Sequence, residues 1–575
     1  MAADTTQRRS VRSIVPILTW LPGYDRAWLR GDVAAGIAVT ALVVPKNLGY
    51  AGIAGVPLQN GLYAAAAGAI IYALFCTSRQ ISTGPSSSLA AVAGGAVLVT
   101  GVGREQGAQL VAAITLVAGV LFLLLAVFRM GWIARFLSKP VITGFLAGAA
   151  VDVVIGELPK LTGTSADGAN AWRELGSWAR TLNDVHWATV VVGAVALGVI
   201  LGVRFAAPAV PGALVLVAGG ILAAHLFDLG SHGVALVGHV PRGLPTPQLP
   251  GADVFREHYA TIAVAAGALL LIGFSQTAGD ARAFATRHRY RIDVDQESVA
   301  QGMANVGAGA LQGMPVSTSL SASSLNDSAG ARTPVASLIT GGLVLLTLIV
   351  LAPLFSQLPK PVLAAVIIDA VVFGMIDLSE LRRLRRVTPF DFWIATAAIV
   401  GVLSVGVLAG VVVGVVLSLG WLIYVTTSPP LPVLGHQAGT QVFRELEEHP
   451  DDRTYPGIMV VRIDSGLFFA TAQALDDRVR ALIDGADALR GVVLDFESVP
   501  FIDSQGAEQL SQIQQLVSAQ GATLRLGRVK PQVMSVLERD GVLDRIGADC
   551  VHGNIHRAVE AQLAADDLLE RSGGR

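Results

Sequence analysis

The chain has 575 residues, 53% of them apolar and only 15% charged, with 63 glycines and a mean hydropathy of +0.59. Soluble domains carry about 25% charged residues and about 7% glycine, so both departures exclude an ordinary soluble protein and favour a helical membrane protein. A formal net charge of −2 offers no electrostatic footprint for nucleic acid, and two cysteines, Cys76 and Cys550, provide neither a disulfide framework nor metal-ligand spacing.

The first twenty residues hold Arg8, Arg9, Arg12 and a proline without an uninterrupted apolar core, so no cleavable signal peptide is expected. From there apolar runs of roughly 17 to 22 residues follow one another, the length needed to cross a bilayer core of about 30 Å. Clear spans are predicted over 61–78, 109–128, 187–203, 210–227, 259–277, 335–352, 391–409 and 410–426. Weaker segments, broken by Gly, Pro or Ser, fall over 32–50, 84–101, 139–156, 298–312, 317–330 and 361–377. Near residue 428 the composition changes abruptly. The remaining segments alternate between strands ("GIMVVRI", "GVVLDF", "ATLRLG") and helices ("ALDDRVRALI", "SQGAEQLSQIQQLVSAQ", and one beyond Lys530), the pattern of a soluble α/β domain. The predicted organisation is an N-terminal segment over 1–30, a transmembrane domain over 31–428, a linker over 429–440 and a soluble domain over 441–575.

Basic residues fix the expected orientation. Loops after even-numbered segments hold Arg79; Arg129, Arg135 and Lys139; Arg204; Arg282, Arg287, Arg289 and Arg291; and Arg382, Arg383, Arg385 and Arg386. With Arg8, Arg9 and Arg12 inside, parity places both termini in the cytoplasm. The two halves also resemble each other: "LSKPVITGFLAGAAV" from Leu137 returns as "LPKPVLAAVIIDAVV" from Leu358, and "STGPSSSLAAVAGG" from Ser82 is echoed by "MPVSTSLS" from Met314. Seven segments per half is odd, so successive copies are inverted, the architecture of secondary transporters whose sites lie between the repeats.

Each Pro-Ser stretch, Gly84 to Ser88 and Met314 to Ser321, stands at the start of a short helix. Such starts present unpaired N–H groups and the positive end of the helix dipole, to which Ser and Thr hydroxyls add donors. Two facing starts would cradle a small anion without a formal charge. A lone serine there would simply cap its helix; the pairing in equivalent positions of two repeats favours a site.

Three long stretches, "VVPKNLGYAGIAGVPLQNGLYAA" (Val43 to Ala65), Ala281 to Pro334, and the C-terminal "VVLDFESVPFIDSQGAEQL" (Val492 to Leu510), are similar to the sulfate permease (SulP) family, the relatives of pendrin and prestin. The resemblance covers nearly the whole chain. It implies fourteen transmembrane segments in a seven-plus-seven inverted repeat, a core moving against a gate, homodimers, and a cytoplasmic α/β STAS domain. It also implies secondary transport of a small anion, with sulfate the default and bicarbonate or a dicarboxylate as alternatives, in a bacterial inner membrane. Three departures stand out. Where the family often has a proton-coupling Glu before Ala-Arg-Ala-Phe-Ala, this chain has Gln276, with Asp280 one turn later. Where the family commonly has an arginine in the tenth segment it has Ala322, and where the family usually has Gln after the first-segment proline it has Lys46.

Lys46 is therefore expected to carry the charge that Ala322 lacks; the rival readings are a snorkelling lysine and an ion pair with Asp280. The predicted substrate site comprises Lys46, Tyr50, Gly84, Pro85, Ser86, Ser87, Ser88, Gln276, Thr318, Ser319, Leu320 and Ser321. Asp280 is the candidate site for a coupling H⁺ or Na⁺, or else a structural partner of Arg282. Ser504 matches the serine that bacterial STAS proteins phosphorylate; its plain reading is that Asp503 or Ser504 caps the following helix. No phosphate-binding G-x-x-x-x-G-K-[ST] loop or H-E-x-x-H is present, so neither ATP-driven pumping nor a metal or cofactor is expected. Nucleobase permeases share the seven-plus-seven architecture but lack the STAS domain. A membrane-bound STAS regulator, with the membrane part as sensor, is the alternative from another class.

Overall fold

The computed structural model describes residues 15–130, 138–166, 168, 170–207, 210–238, 241, 243–485 and 488–573; Arg8, Arg9, Arg12 and Arg135 lie outside them. It divides into two compact units, Met1–Ser418 and Leu419–Arg575. In the first unit the helices that carry the argument are α1 (Leu29–Ile53), α2 (Leu58–Phe75), α3 (Ser87–Thr100), α4 (Arg104–Val127), α5 (Lys139–Thr162), α6 (Trp187–Ala206), α7 (Gly212–Leu226), α8 (Tyr259–Arg287), α9 (Val294–Ala310), α10 (Leu320–Ser328), α11 (Val335–Val350), α12 (Lys360–Met375), α13 (Pro389–Val405) and α14 (Val407–Thr427), with short strands β1 (Thr83–Pro85) and β2 (Val316–Thr318) before α3 and α10.

Each predicted segment coincides with one of these helices, but their strengths are redistributed. Among the described residues eight helices are long and apolar enough to cross a membrane, including α1, α5 and the helix containing α12, which the sequence marks as weak. Conversely α7, α11 and α13, marked as clear, are short apolar helices. The reason is local: the prolines of α5 and α12 sit in their first turns, where no N–H is needed. Apart from Pro159 near the C-terminal end of α5, an interior proline stands in α1, where Pro45 removes one rung of the hydrogen-bond ladder just before Lys46.

Small residues bring the central elements together. A Cβ on Gly61 of α2 would stand 2.2 Å from the Asn47 carbonyl oxygen of α1, and one on Gly68 would meet Val316, Gly84 and Thr83 at 3.2 to 3.3 Å. So α2 packs directly on α1 and on the β1–β2 pair. Two buried carboxylates pin the frame. Asp32, in the first turn of α1, accepts from the Arg332 and Thr333 N–H groups at 2.7 and 3.1 Å, from Thr333 Oγ1 at 2.7 Å and from the Tyr24 hydroxyl at 2.9 Å. Glu297 of α9 accepts from Thr77 N–H and Oγ1 at 2.8 and 2.6 Å, from Ser78 N–H and Oγ at 2.8 and 3.1 Å, and from the Tyr72 hydroxyl. Glu297→Ala would leave these buried donors without an acceptor, a loss expected to exceed roughly 3 kcal/mol. A lower melting temperature in detergent, read by size-exclusion chromatography after heating, is the check.

The second unit is a parallel sheet in the order β5 (Ile458–Arg462), β6 (Gly491–Asp495), β7 (Thr523–Gly527) and β8 (Val551–His552). Helices α15 (Ala472–Asp484), α16 (Ser504–Ala519), α17 (Pro531–Asp540) and α18 (Ile555–Gly573) accompany it. Strand β6 is buried along its whole length, as the continuous apolar run of a central parallel strand requires. A hairpin of β3 (Leu434–His436) and β4 (Phe443–Glu445) precedes the sheet. Residues 429–440, expected as a linker, thus contain a strand, because Leu434 is buried with Ile458, Val460 and Val493 in one core cluster. Burial and the neighbouring Arg525 guanidinium hold His552 below its usual value of 6.5. A group harder to protonate in the folded state stabilises above its unfolded pKa and loses that contribution as pH falls through it. The melting temperature of the chain is therefore expected to drop from pH 7.5 to 5.5, and less so in His552→Asn.

Candidate functional site

Strands β1 and β2 are antiparallel neighbours, with Thr83 opposite Thr318, Gly84 opposite Ser317 and Pro85 opposite Val316. Each runs into a helix start built the same way. Ser86 caps α3 by accepting from Leu89 N–H at 3.4 Å, and Ser319 caps α10 by accepting from Ala322 N–H at 3.4 Å. Two residues on, Ser88 Oγ lies 3.2 Å from Ser86 Oγ, and Ser321 Oγ lies 3.3 Å from Ser319 Oγ. Two helix N-termini thus open side by side from one antiparallel pair, each with its hydroxyls.

The remaining hydroxyls of the second stretch hold the frame. Ser323 Oγ accepts from Ser82 N–H at 2.9 Å, Ser317 Oγ donates to the Gly273 carbonyl at 3.4 Å, and β2 is anchored to α9 through Gln301 and Asn305, whose amides donate to the Val316 carbonyl at 2.5 and 3.0 Å. The antiparallel pair is therefore rigidly seated.

A cavity of about 500 Å³ opens in front of these helix starts, lined among others by Lys46, Tyr50, Ser86, Ser87, Ser88, Gln276, Asp280, Thr318, Ser319, Leu320 and Ser321. Every predicted site residue borders it except Gly84 and Pro85. These two line a recess of only about 20 Å³ behind it, together with Lys46, Asn47, Tyr50, Ser319, Ser321 and Ala322. Gln276 donates from Nε2 to Ser88 Oγ at 2.9 Å, while its Oε1 has no partner among the described residues. Asp280, one turn on, accepts from Thr318 Oγ1 at 2.8 Å. Each of the two helix starts is thus touched by one polar residue of α8.

Two alternative pairings of Asp280 are absent among the described residues. Asp280 takes Thr318 as its partner and is joined neither to Lys46 nor to Arg282 by any ion pair among the described residues. Lys46 shares the front cavity with Asp280 and a second cavity with Asp369 of α12, which is held in a fork by Arg204 of α6: Nε to Oδ1 at 2.7 Å and Nη2 to Oδ2 at 2.6 Å. The Arg204 guanidinium also lies 4.3 Å from the Phe373 ring centre. Arg204 reads in sequence as one more loop arginine, yet it occupies the last turn of α6 and faces inward. Asp369 does carry a sequence signal: it is the only acid in the α12 run, and an isolated acid in a spanning segment is costly unless paired or functional. Asn47, whose Nδ2 has no partner among the described residues, is a further polar group bordering the recess.

In the second unit, Asp503 caps α16, accepting from Gly506 N–H at 2.8 Å, which leaves Ser504 exposed as the first residue of that helix.

Comparison with known proteins fits this geometry. Residues 29–398 match the sulfate permease family and residues 449–561 match the STAS domain. A probable sulfate transporter of Mycobacterium tuberculosis (strain H37Rv) is 33% identical over 559 residues, covering 95% of this chain and 99% of that protein. The chloroplastic sulfate transporter 4.1 of Arabidopsis thaliana is 30% identical over 579 residues, covering 96% and 83%. The fold matches the murine Solute Carrier 26 family member A9 anion transporter in the inward-facing state at a TM-score of 0.88, with 21% identity and 98% and 96% coverage. It also matches the transmembrane domain of the cyanobacterial bicarbonate transporter BicA at a TM-score of 0.58, with 22% identity and 69% and 99% coverage. The chain belongs to the sulfate permease family: it is a multi-pass membrane transport protein with a C-terminal STAS domain, and not an enzyme.

Proposed function

We propose that the protein is a secondary active transporter of a small oxyanion, sulfate first, held between the starts of α3 and α10 during alternating access. The observation that carries this reading is the pair of matched, serine-capped helix starts joined by the β1–β2 bridge and opening into one cavity with Lys46. Helix N-termini and hydroxyls bind any compact oxyanion, so the choice of sulfate leans on the two relatives named as sulfate transporters. Lys46 and Ala322 border the same recess, which supports the relocation of a positive charge from the tenth segment to the first.

Charge counting bears on coupling. Around the cavities stand Lys46 and Arg204 against Asp280 and Asp369, so the ionised set sums to zero. A divalent anion then leaves two uncompensated negative charges in a poorly solvated space, and a cation entering with it relieves them. Asp280 and the unpartnered Gln276 Oε1, one helical turn apart, are the oxygens suited to receive that H⁺ or Na⁺. Gln276 itself cannot titrate, which leaves the proton-carrying part to Asp280. The transporter works as a homodimer in a bacterial inner membrane with both termini cytoplasmic, and a phosphate on the exposed Ser504 would add roughly −1.5 to −2 charge at the α16 start as a regulatory signal.

The test is uptake of radiolabelled sulfate into proteoliposomes, with unlabelled sulfate, bicarbonate and dicarboxylates as competitors and with Na⁺ and pH gradients imposed in turn. Saturable sulfate uptake supports the reading. Competition by bicarbonate alone would reassign the substrate, and absence of uptake for every anion would favour the STAS regulator.

A further inference from the structure

The Arg204–Asp369 pair has no part in the helix-start cradle, yet it stands where two spaces meet. The cavity in front of the helix starts and a second one of about 370 Å³ share Lys46, Arg204 and Ser321 as lining residues. The second cavity is bordered by Ala38 of α1, Leu325 of α10 and Val210 to Ala213 at the entry to α7. The Arg204 side chain is thus common to both spaces.

The pair is asymmetric in its exposure. Asp369 retains 7% side-chain exposure and is walled in by α12, whereas Arg204 retains 36% and fronts both cavities. The fork uses Nε and Nη2, and Nη1 has no partner among the described residues. A guanidinium fork fits a tetrahedral oxyanion edge as well as a carboxylate edge. Lys46 stands in both cavities without a hydrogen bond or ion pair among the described residues, so an anion at Arg204 already lies beside the next positive charge.

We infer that Arg204 is a second, transient anion site at the junction of the two cavities, at which the arriving oxyanion and the Asp369 carboxylate compete for the same guanidinium. This rests on the transport reading above and adds to it a relay: the anion first meets Arg204 at its free Nη1 edge, displaces Asp369 from the fork in part, and passes to Lys46 and the helix starts. Asp369 limits how tightly the relay holds the ion. A compact oxyanion with two or more oxygens in one plane, such as sulfate, suits the fork; a halide offers only a single point.

Competition makes a prediction of opposite signs. Sulfate binding by the purified full-length protein is measured by calorimetry at constant ionic strength, with gluconate as the balancing anion. Arg204→Gln is expected to weaken binding and Asp369→Asn to tighten it, each by about tenfold, the change that one charge-assisted hydrogen bond corresponds to. Arg204→Lys, which keeps the charge and loses the fork, should weaken sulfate binding but leave chloride binding as in the wild type. If a single variant fails to fold, Arg204→Gln/Asp369→Asn preserves volume and neutrality, and its sulfate affinity should match the weakened value. An affinity unchanged in the variants, or weakened equally by Arg204→Gln and Asp369→Asn, overturns the relay and leaves a structural ion pair. Wild-type sulfate binding that is lost in Lys46→Ala supports the transport reading independently, so the relay can fail while that reading stands; wild-type protein that binds no anion overturns both.

Discussion

Lys46→Ala is expected to reduce sulfate uptake by roughly 100-fold or more while leaving the protein folded and monodisperse in detergent. The ammonium has no hydrogen bond or ion pair among the described residues, so its removal breaks no polar contact there. What is lost is a cation of the cavity that, among the described residues, is not hydrogen-bonded to a carboxylate, whereas Arg204 is forked to Asp369. A snorkelling lysine would give the opposite outcome, because substitution by alanine would then leave uptake near wild type. The sharper measurement adds Ala322→Arg to Lys46→Ala. Ala322 is buried in the first turn of α10 and shares the recess with Lys46, so a guanidinium there reaches the same space. Partial recovery of uptake is expected, and no recovery in a well-folded double variant would sink the idea that the two positions exchange one charge.

Asp280→Asn is expected to abolish accumulation of sulfate against a gradient while sparing exchange of labelled for unlabelled sulfate across the bilayer. The amide keeps the volume and an acceptor for Thr318 Oγ1, so the α10 start stays in place. It cannot bind a proton and binds Na⁺ more weakly, so the charge brought in by a divalent anion goes uncompensated. Wild-type uptake should respond to an imposed Na⁺ or proton gradient, and the variant should not. Equal loss of exchange and accumulation would instead mean that Asp280 serves only to seat Thr318.

Much of the fold is legible in the order of residues alone. The fourteen apolar segments, the break near residue 428 and the order of strands and helices beyond it follow from hydropathy and period, because the bilayer and the buried parallel sheet both demand continuous apolar runs. The serine-rich helix starts are legible because capping residues after a proline or glycine mark where a helix begins. Segment strength is less so: α1, α5 and α12 read as weak on account of their prolines, although the first-turn prolines of α5 and α12 cost a helix nothing. Spacing alone does not separate Gly84 and Pro85, which border the small recess, from the residues that border the larger cavity.

Local sequence is enough to establish which groups stand in the membrane: two hydroxyl-bearing helix starts, a lysine in place of the usual glutamine, and an alanine in place of the usual arginine. The helix starts follow from spacing and from what a short helix start needs, whereas the lysine and the alanine stand out only through the resemblance to the family. Which charges meet is settled by the packing of the helices. An ion pair of Asp280 with Lys46 is one of the readings that sequence leaves open, but Asp280 of α8 meets Thr318, while packing of α6 on α12 brings together Arg204 and Asp369, residues 165 positions apart. Electrostatic pairing depends on distance in space, and in a bundle of broken helices that distance is set by which faces pack, which no run of neighbouring residues encodes.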